Sequence, residues 1–104
     1  MRLSVFGVGA VGRAVVELAP EYGHTVVAVA DSTAAAVDDD GLDPAAVLDR
    51  KATSGTVGDA DHTAALEADY DVLVEATPTT LGDAEPGFSH VTHALDRDRH
   101  VVLA

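Results

Sequence analysis

Hydrophobic residues along this chain fall into blocks of two kinds, which predict two kinds of secondary structure. Continuous apolar runs, typical of strands covered on both faces of a parallel sheet, occupy 3–8, 26–30, 71–76 and 100–103. Apolar residues at helical spacing mark one helix face at Val11, Ala14, Val15 and Leu18. Helical segments are also expected over 42–52, 62–68 and 88–95. Strands that alternate with helices predict a single α/β domain over 1–104, with a doubly wound, mostly parallel sheet.

Polar residues between these blocks predict where the elements begin and end. Asp43 is a suitable N-cap for the second helix, and Pro44 suits its first position. Gly55 is expected to end that helix, and Asp61 to cap a short third one. The polar, acidic and alanine-rich segment 32–41 is predicted to be a surface loop.

The sequence GVGAVG joins the first predicted strand to the first predicted helix. Its glycines have G-x-G-x-x-G spacing, which binds the pyrophosphate of a dinucleotide when a strand precedes it and a helix follows. The first glycine allows a tight turn, the second lets phosphate approach the backbone, and the third lets helix and strand pack closely. A Rossmann-type fold is therefore predicted. The cofactor-binding residues expected in this loop are Gly7, Val8, Gly9, Ala10, Val11 and Gly12.

A carboxylate at the end of the second strand supports dinucleotide binding. Asp31 lies 19 residues after Gly12, where the fingerprint places an acid that binds the adenosine ribose, and Ser32 adjoins it. Because a 2′-phosphate would meet the like charge of Asp31, NAD is predicted as the cofactor. Arg13, directly after the glycine loop, keeps use of NADP open. The alternative role for Asp31 is a structural one, capping the end of the strand.

Composition narrows the possible partners and location. Eighteen acidic residues against six basic ones give a net charge of -12, which disfavours nucleic acid and anionic membranes as partners. The absence of cysteine excludes disulfides and thiolate metal sites. No segment has the pattern of a signal peptide or the length of a membrane span, so a cytoplasmic location is expected.

The acidic composition, with Lys51 as the single lysine, also predicts adaptation to high intracellular salt. At 1 M salt the Debye length is about 3 Å, so repulsion between carboxylates that lie farther apart is largely screened. We therefore expect a higher melting temperature in molar KCl than in dilute buffer, as measured by thermal unfolding. Equal melting temperatures would instead indicate an ordinary acidic protein.

Four other residues were candidates for chemistry. Glu75, within the strand predicted over 71–76, is expected to lie at the strand end and to reach solvent or a neighbouring loop. His90 and His93 have helical spacing but lack a third ligand, so no metal site is predicted. Lys51 is expected on an outer helix, away from the nucleotide site.

Over nearly its whole length the chain resembles the N-terminal NAD(P)-binding domain of homoserine dehydrogenase. The matching segments are GVGAVG, VADST, DGLDPAAVLDRKATSGTV, DVLVEATPTTLGDAEPGFSHVTHAL and HVVLA, of which VEATPT…EPGFSH is the most specific. That family interconverts L-homoserine and L-aspartate 4-semialdehyde with NAD(P)(H), in threonine and methionine biosynthesis. The resemblance implies that Thr77, Pro78 and Thr79 lie against the nicotinamide ribose.

The resemblance also implies parts of the family that follow the end of this chain. The family continues past HVV-x-A into Asn-Lys, whose lysine is assigned as a proton donor, and then into a substrate-binding and dimerisation domain. Because the chain ends at Ala104, we expect a C-terminally truncated domain that binds cofactor without turnover and contains no catalytic residue. Binding of an amino-acid substrate and homodimer formation would need the missing domain. The alternatives are a related dehydrogenase, such as an aspartate dehydrogenase, and a nucleotide-sensing module that is not an enzyme.

Overall fold

The computed structural model describes residues 1–76, 94–97 and 99–103. The elements in this part of the chain are β1 (Arg2–Phe6), α1 (Ala10–Leu18), a 3₁₀ turn (Ala19–Tyr22), β2 (Thr25–Ala30), β3 (Ala35–Val37), α2 (Pro44–Ser54), α3 (His62–Glu67), β4 (Val72–Glu75) and β5 (His100–Leu103). Within the same residues, no helix combines the length and apolar character that crossing a membrane requires.

The strands form one sheet in the order β3-β2-β1-β4-β5. β2, β1, β4 and β5 run parallel to one another, and β3 is antiparallel to β2. The predicted α/β fold with a mostly parallel sheet is therefore confirmed. The chain begins in the middle of the sheet, builds outward to β2 and β3 on one side, and then crosses to β4 and β5 on the other.

The prediction of a loop over 32–41 was wrong in part, because this segment contains β3. Ala35 and Ala36 pair with Ala30 and Val29 of β2. Ala35 also exchanges two backbone hydrogen bonds with Ala60, of 2.8 and 2.9 Å. Alanine has little strand propensity, so the residue types of this segment do not favour a strand. The pairings with β2 and Ala60 stabilise β3.

Helices cover both faces of the sheet. Val16 of α1 and Val47 of α2 pack in the apolar cluster on one face, while Ala65 of α3 packs in the cluster on the other. The first cluster consists of Leu3, Val5, Val16, Ala19, Val26, Val29, Val47, Val57, Val72 and Val74. The second consists of Phe6, Val27, Ala28, Ala30, Ala35, Ala65, Ala68, Tyr70, Leu73 and Ala94. Burial of both faces explains why the strands are continuous apolar runs.

The buried face of α1 differs from the predicted one. Gly12 and Val16 face the sheet, whereas Val11 is 54 % exposed and Leu18 is also exposed. A Cβ at Gly12 would lie 1.7 Å from the carbonyl oxygen of Gly7, so this side of the helix touches the β1 turn directly. The close backbone approach sets the rotation of the helix, and the apolar stripe read from the sequence points partly to solvent.

The predicted ends of α2 and α3 are confirmed. The Asp43 side chain accepts a hydrogen bond of 3.1 Å from the backbone N–H of Ala45. Gly55 ends α2 with φ +79°, a left-handed conformation that glycine adopts at low cost. Asp61 caps α3 by accepting from the N–H of Ala64 at 2.8 Å.

Candidate dinucleotide-binding site

Three neighbouring parallel strands end at one edge of the sheet and are followed there by Gly7, Asp31 and Ala76. The N–H of Gly7 donates to the carbonyl of Ala30 at 2.8 Å, and the N–H of Ala76 donates to the carbonyl of Phe6 at 2.7 Å. The glycine turn therefore lies between the ends of β2 and β4. This is the topological switch point of the sheet, where the chain connections on either side of β1 run in opposite directions. Open α/β sheets bind ligands at such a point.

The glycines of the loop do three different things. Gly7 has φ +101°, which allows the sharp exit from β1. Gly12 is in backbone contact with Gly7, as the 1.7 Å distance to an added Cβ shows. Gly9 is the N-cap of α1, has φ −78°, and would place an added Cβ in open space with no heavy atom within 4 Å. The first and third glycines shape the turn, and the second leaves its outer side open.

The first turn of α1 is open to an anion. Gly9, Ala10 and Val11 are exposed, and the first turn contains no acidic residue. The first N–H groups of a helix have no intrahelical acceptors, and the helix dipole favours negative charge beside them. Val8 is half-buried and packs against the core. The loop can therefore offer backbone donors to a phosphate from a fixed position.

Arg13 does not extend over this first turn. Its Nε lies 3.2 Å from Oε1 of Glu17, one turn further along α1, and both side chains are exposed. The role of a cationic arm over the phosphates, left open by the sequence, gains no support from this arrangement.

Asp31 is buried at the end of β2 and bonded on both carboxylate oxygens. Oδ1 accepts hydrogen bonds from the N–H groups of Thr33 at 2.7 Å and Ala34 at 2.8 Å. Oδ2 accepts from the N–H of Val57 at 2.8 Å and from the Lys51 ammonium at 3.1 Å. Only 3 % of the Asp31 side chain is exposed.

The main chain of Asp31 is held as well. His62 Nε2 lies 2.7 Å from the Asp31 carbonyl oxygen, and since a carbonyl only accepts, Nε2 carries the hydrogen. We call Asp31 with its five partners, Thr33, Ala34, Lys51, Val57 and His62, the Asp31 cluster. The cluster ties the end of β2 to the last turn of α2, to the segment after it and to the start of α3.

The donors in the Asp31 cluster stabilise the ionised carboxylate. Burial by itself would raise the pKa of Asp31, but the N–H groups of Ala34, Thr33 and Val57 and the Lys51 ammonium outweigh it. They hold the pKa of Asp31 far below its usual range. The carboxylate of the folded chain is therefore ionised at neutral pH.

The sequence prediction for Lys51 was wrong in part. The predicted position on an outer helix is correct, but its Nζ reaches the carboxyl edge of the sheet, where it contacts Asp31 and the carbonyl of Gly55 at 3.1 Å each. Asp31 and Lys51 are 20 residues apart, and their meeting depends on how α2 returns along the sheet. The signal in the sequence was a single lysine in a strongly acidic chain, which would favour a paired role.

The remaining candidates fall in two groups. Glu75 is the last residue of β4, which confirms its predicted place at the strand end, but it is 5 % exposed between β1 and β5 and does not reach solvent. Ser32 is exposed beside Asp31, as a ribose-binding residue would need to be. Thr77, Pro78 and Thr79, with His90 and His93, lie outside the described residues.

Sequence comparison identifies dehydrogenases as relatives. Residues 1–83 match the family described as glutamate/leucine/phenylalanine/valine dehydrogenase. The chain is 30 % identical, over its full length, to the homoserine dehydrogenase of Methanocaldococcus jannaschii, of which it covers 36 %.

Structural comparison agrees. A homoserine dehydrogenase from Thermoplasma acidophilum superimposes with a TM-score of 0.85 at 24 % identity, over 99 % of this chain and 34 % of that one. A putative homoserine dehydrogenase from Archaeoglobus fulgidus gives 0.79 at 28 % identity, over 99 % and 33 %. Glutamate dehydrogenase from Thermus thermophilus gives 0.71 at 28 % identity, over 98 % and 29 %.

The chain spans about one third of the length of these homoserine dehydrogenases. The sheet order, the position of the glycine turn between the ends of β2 and β4, and the sequence matches over most of the chain agree. All three are those of the dinucleotide-binding domain of a dehydrogenase. The chain belongs to the family described as glutamate/leucine/phenylalanine/valine dehydrogenase, and it is also homologous to about one third of the length of homoserine dehydrogenases.

Proposed function

We propose that this chain binds NAD(H) or NADP(H) across the carboxyl edge of its sheet, as the cofactor-binding part of a homoserine dehydrogenase. The observation that carries the proposal is the open first turn of α1, held against β1 by the contact between Gly12 and Gly7. The homology to homoserine dehydrogenases supplies the activity, which is interconversion of L-homoserine and L-aspartate 4-semialdehyde.

Within this activity the described residues bind and orient. The bound nicotinamide ring supplies hydride chemistry, and the protein's part is to place that ring and to fix the phosphates. The backbone from Gly9 to Gly12 would hold the pyrophosphate, and the exposed Ser32 would adjoin the adenosine ribose. By resemblance, Thr77 to Thr79 would contact the nicotinamide ribose. We assign cofactor binding alone to these 104 residues.

The wider setting is proposed on homology alone. Since the chain covers one third of its relatives, binding of the amino-acid substrate, the proton donor and a homodimer interface are proposed for the rest of such an enzyme. A cytoplasmic place in threonine and methionine biosynthesis would follow from the same homology.

Substitution of Gly9 by alanine tests dinucleotide binding without disturbing the fold. The added methyl group meets no protein atom within 4 Å, and φ −78° suits alanine, so we expect a loss of stability below about 1 kcal/mol. The same methyl group lies where a pyrophosphate must approach the backbone, so NAD⁺ affinity should fall by at least about tenfold. Isothermal titration calorimetry of both proteins measures the change.

Gly23→Ala is the matched control, because an added Cβ there also meets no atom within 4 Å and the residue lies at the opposite edge of the sheet, before β2. This variant should keep its NAD⁺ affinity even where its left-handed φ costs some stability. Unchanged affinity in a folded Gly9→Ala protein would argue against the glycine loop as the phosphate site.

A further inference from the structure

The number of hydrogen bonds on Asp31 limits what this residue can do for a ligand. An ionised carboxylate has about four lone-pair positions, two on each oxygen. Thr33 and Ala34 occupy those of Oδ1, and Val57 and Lys51 those of Oδ2. A ribose hydroxyl could bond to this carboxylate only by displacing one of these donors.

The burial of Asp31 also argues against a direct bond between a ribose hydroxyl and its carboxylate. The side chain of Asp31 is 3 % exposed, and its oxygens face the loop, the end of α2 and Val57 instead of the outer edge of the sheet. Displacement of the Val57 N–H would leave a buried donor without an acceptor, which is costly. The ribose would gain one bond while the protein lost another.

The charge of Asp31 is also balanced. Lys51 places its ammonium 3.1 Å from Oδ2, and 32 % of the lysine side chain is exposed, so solvent or a ligand beside the cluster meets the cation before the carboxylate. Repulsion of a 2′-phosphate, the reason for predicting NAD as the cofactor, needs an exposed and unpaired carboxylate. Asp31 is neither.

What the cluster does hold in place is the turn after β2. Two N–H groups of this turn are fixed on Oδ1, and the carbonyl of Ala34 accepts from the N–H of Asp31 at 3.0 Å. Ser32, between these bonds, is exposed and is the first residue with a hydroxyl group after the end of β2.

We infer that Asp31 is a positioning residue, whose carboxylate fixes the 32–34 turn from inside, so that Ser32 binds the adenosine ribose and NAD⁺ and NADP⁺ bind with comparable affinity. The inference rests on the proposed dinucleotide binding. The spacing of the fingerprint alone suggests that Asp31 contacts the ribose. In this inference Asp31 positions the turn instead, and Ser32 makes the contact.

Titrations with three ligands test the inference. Wild type, Asp31→Asn and Ser32→Ala are each titrated with NAD⁺, NADP⁺ and the NAD⁺ analogue that lacks the adenosine 2′-hydroxyl. We expect wild type to bind NAD⁺ and NADP⁺ within about tenfold of each other. Asparagine keeps Oδ1 as an acceptor for the N–H groups of Thr33 and Ala34, so the turn stays fixed in Asp31→Asn. Loss of the 2′-hydroxyl should therefore weaken binding by the same factor in wild type and in Asp31→Asn, and should cost nothing further in Ser32→Ala.

Two results would overturn the inference. One is a 2′-hydroxyl effect that disappears in Asp31→Asn, because this would show a direct bond from the ribose to the carboxylate. The other is wild-type binding of NAD⁺ more than about a hundredfold tighter than NADP⁺.

Lys51→Met provides a second route if Asp31→Asn does not fold. It leaves the three backbone donors on Asp31 and removes the balancing charge. NAD⁺ affinity and its 2′-hydroxyl effect should stay as in wild type, while NADP⁺ should bind more weakly beside the unbalanced carboxylate. Tighter NAD⁺ binding in Lys51→Met would mean that the lysine had kept the carboxylate from the ribose, and would contradict the inference.

Amide hydrogen exchange without nucleotide separates this inference from the proposed function. In Asp31→Asn the N–H of Val57 should exchange faster than global unfolding explains, because its acceptor is lost. Unchanged exchange would overturn the role of Asp31 as an internal support. A folded wild type with this protection and no affinity for either nucleotide would overturn the proposed function, and the ribose contact with it.

Discussion

Gly12→Ala is expected to destabilise the fold by about 3 kcal/mol or more, the largest effect of any single methyl group considered for this chain. The new Cβ would lie 1.7 Å from the carbonyl oxygen of Gly7 and 2.8 Å from its carbonyl carbon. Both are backbone atoms at the end of a central strand, so they cannot rotate away as a side chain would. Either α1 must lift from the sheet or the turn after β1 must move.

Urea denaturation measures this loss directly, and Gly9→Ala, three residues earlier in the same loop, is the matched control. The two variants should separate stability from binding. Gly12→Ala lowers the unfolding midpoint, while Gly9→Ala keeps it and loses nucleotide affinity. A Gly12→Ala protein as stable as wild type would mean that the close contact between helix and strand is not needed for folding.

Asp31→Asn is expected to cost about 2–4 kcal/mol of unfolding free energy at neutral pH. The amide is nearly isosteric with the carboxylate, but its NH₂ group would face the N–H of Val57 and the Lys51 ammonium, which are donors themselves. Asp43→Asn is the control, because asparagine caps a helix as well as aspartate does and the site is exposed. That control should change stability by no more than about 0.5 kcal/mol.

The pH dependence of the same pair tests the mechanism. The pKa of Asp31 is lowered on folding, so the unfolded chain takes up a proton on this residue before the folded chain does. The difference in stability between wild type and Asp31→Asn should thus be constant above about pH 5 and shrink as the pH falls through about 4. A difference that stayed constant down to about pH 2.5 would show that the charge of Asp31 is not what stabilises the fold.

Features decided by local patterns could be predicted from the sequence. The strands over 26–30 and 100–103 and the caps Asp43 and Asp61 depend on residues close together in the chain, and the structure confirms them. The glycine loop is of this kind too, since its turn, its opening and its helix contact lie within six residues. Local patterns also sufficed for the fold class, because alternation of strands and helices allows few sheet orders.

Features decided by distant contacts could not be predicted. β3 exists because Ala35 meets both β2 and Ala60, and nothing in an alanine-rich segment indicates those partners. The rotation of α1 follows from one backbone contact, which placed Val11 in solvent although its spacing suggested burial. Burial of Glu75 depends on β5, which follows it by more than twenty residues.

The candidate site divides in the same way. The position of Asp31 at the end of a strand was predictable from its spacing after Gly12, whereas the direction of its carboxylate was not. Four donors decide that direction, and two of them come from Lys51 in α2 and from Val57 after α2, 20 and 26 residues further along the chain. Spacing in a fingerprint thus locates a residue, and its hydrogen-bond partners decide what it does.

The ion pair at Lys51 has a practical consequence for labelling this protein. Lys51 provides the only side-chain amine in the chain, and its ammonium lies on a carboxylate and a carbonyl oxygen. Acylating reagents should therefore modify Lys51 more slowly in the folded chain than in the unfolded one. A faster modification of Lys51 would then be a chemical record of molecules in which the contact with the end of β2 has opened.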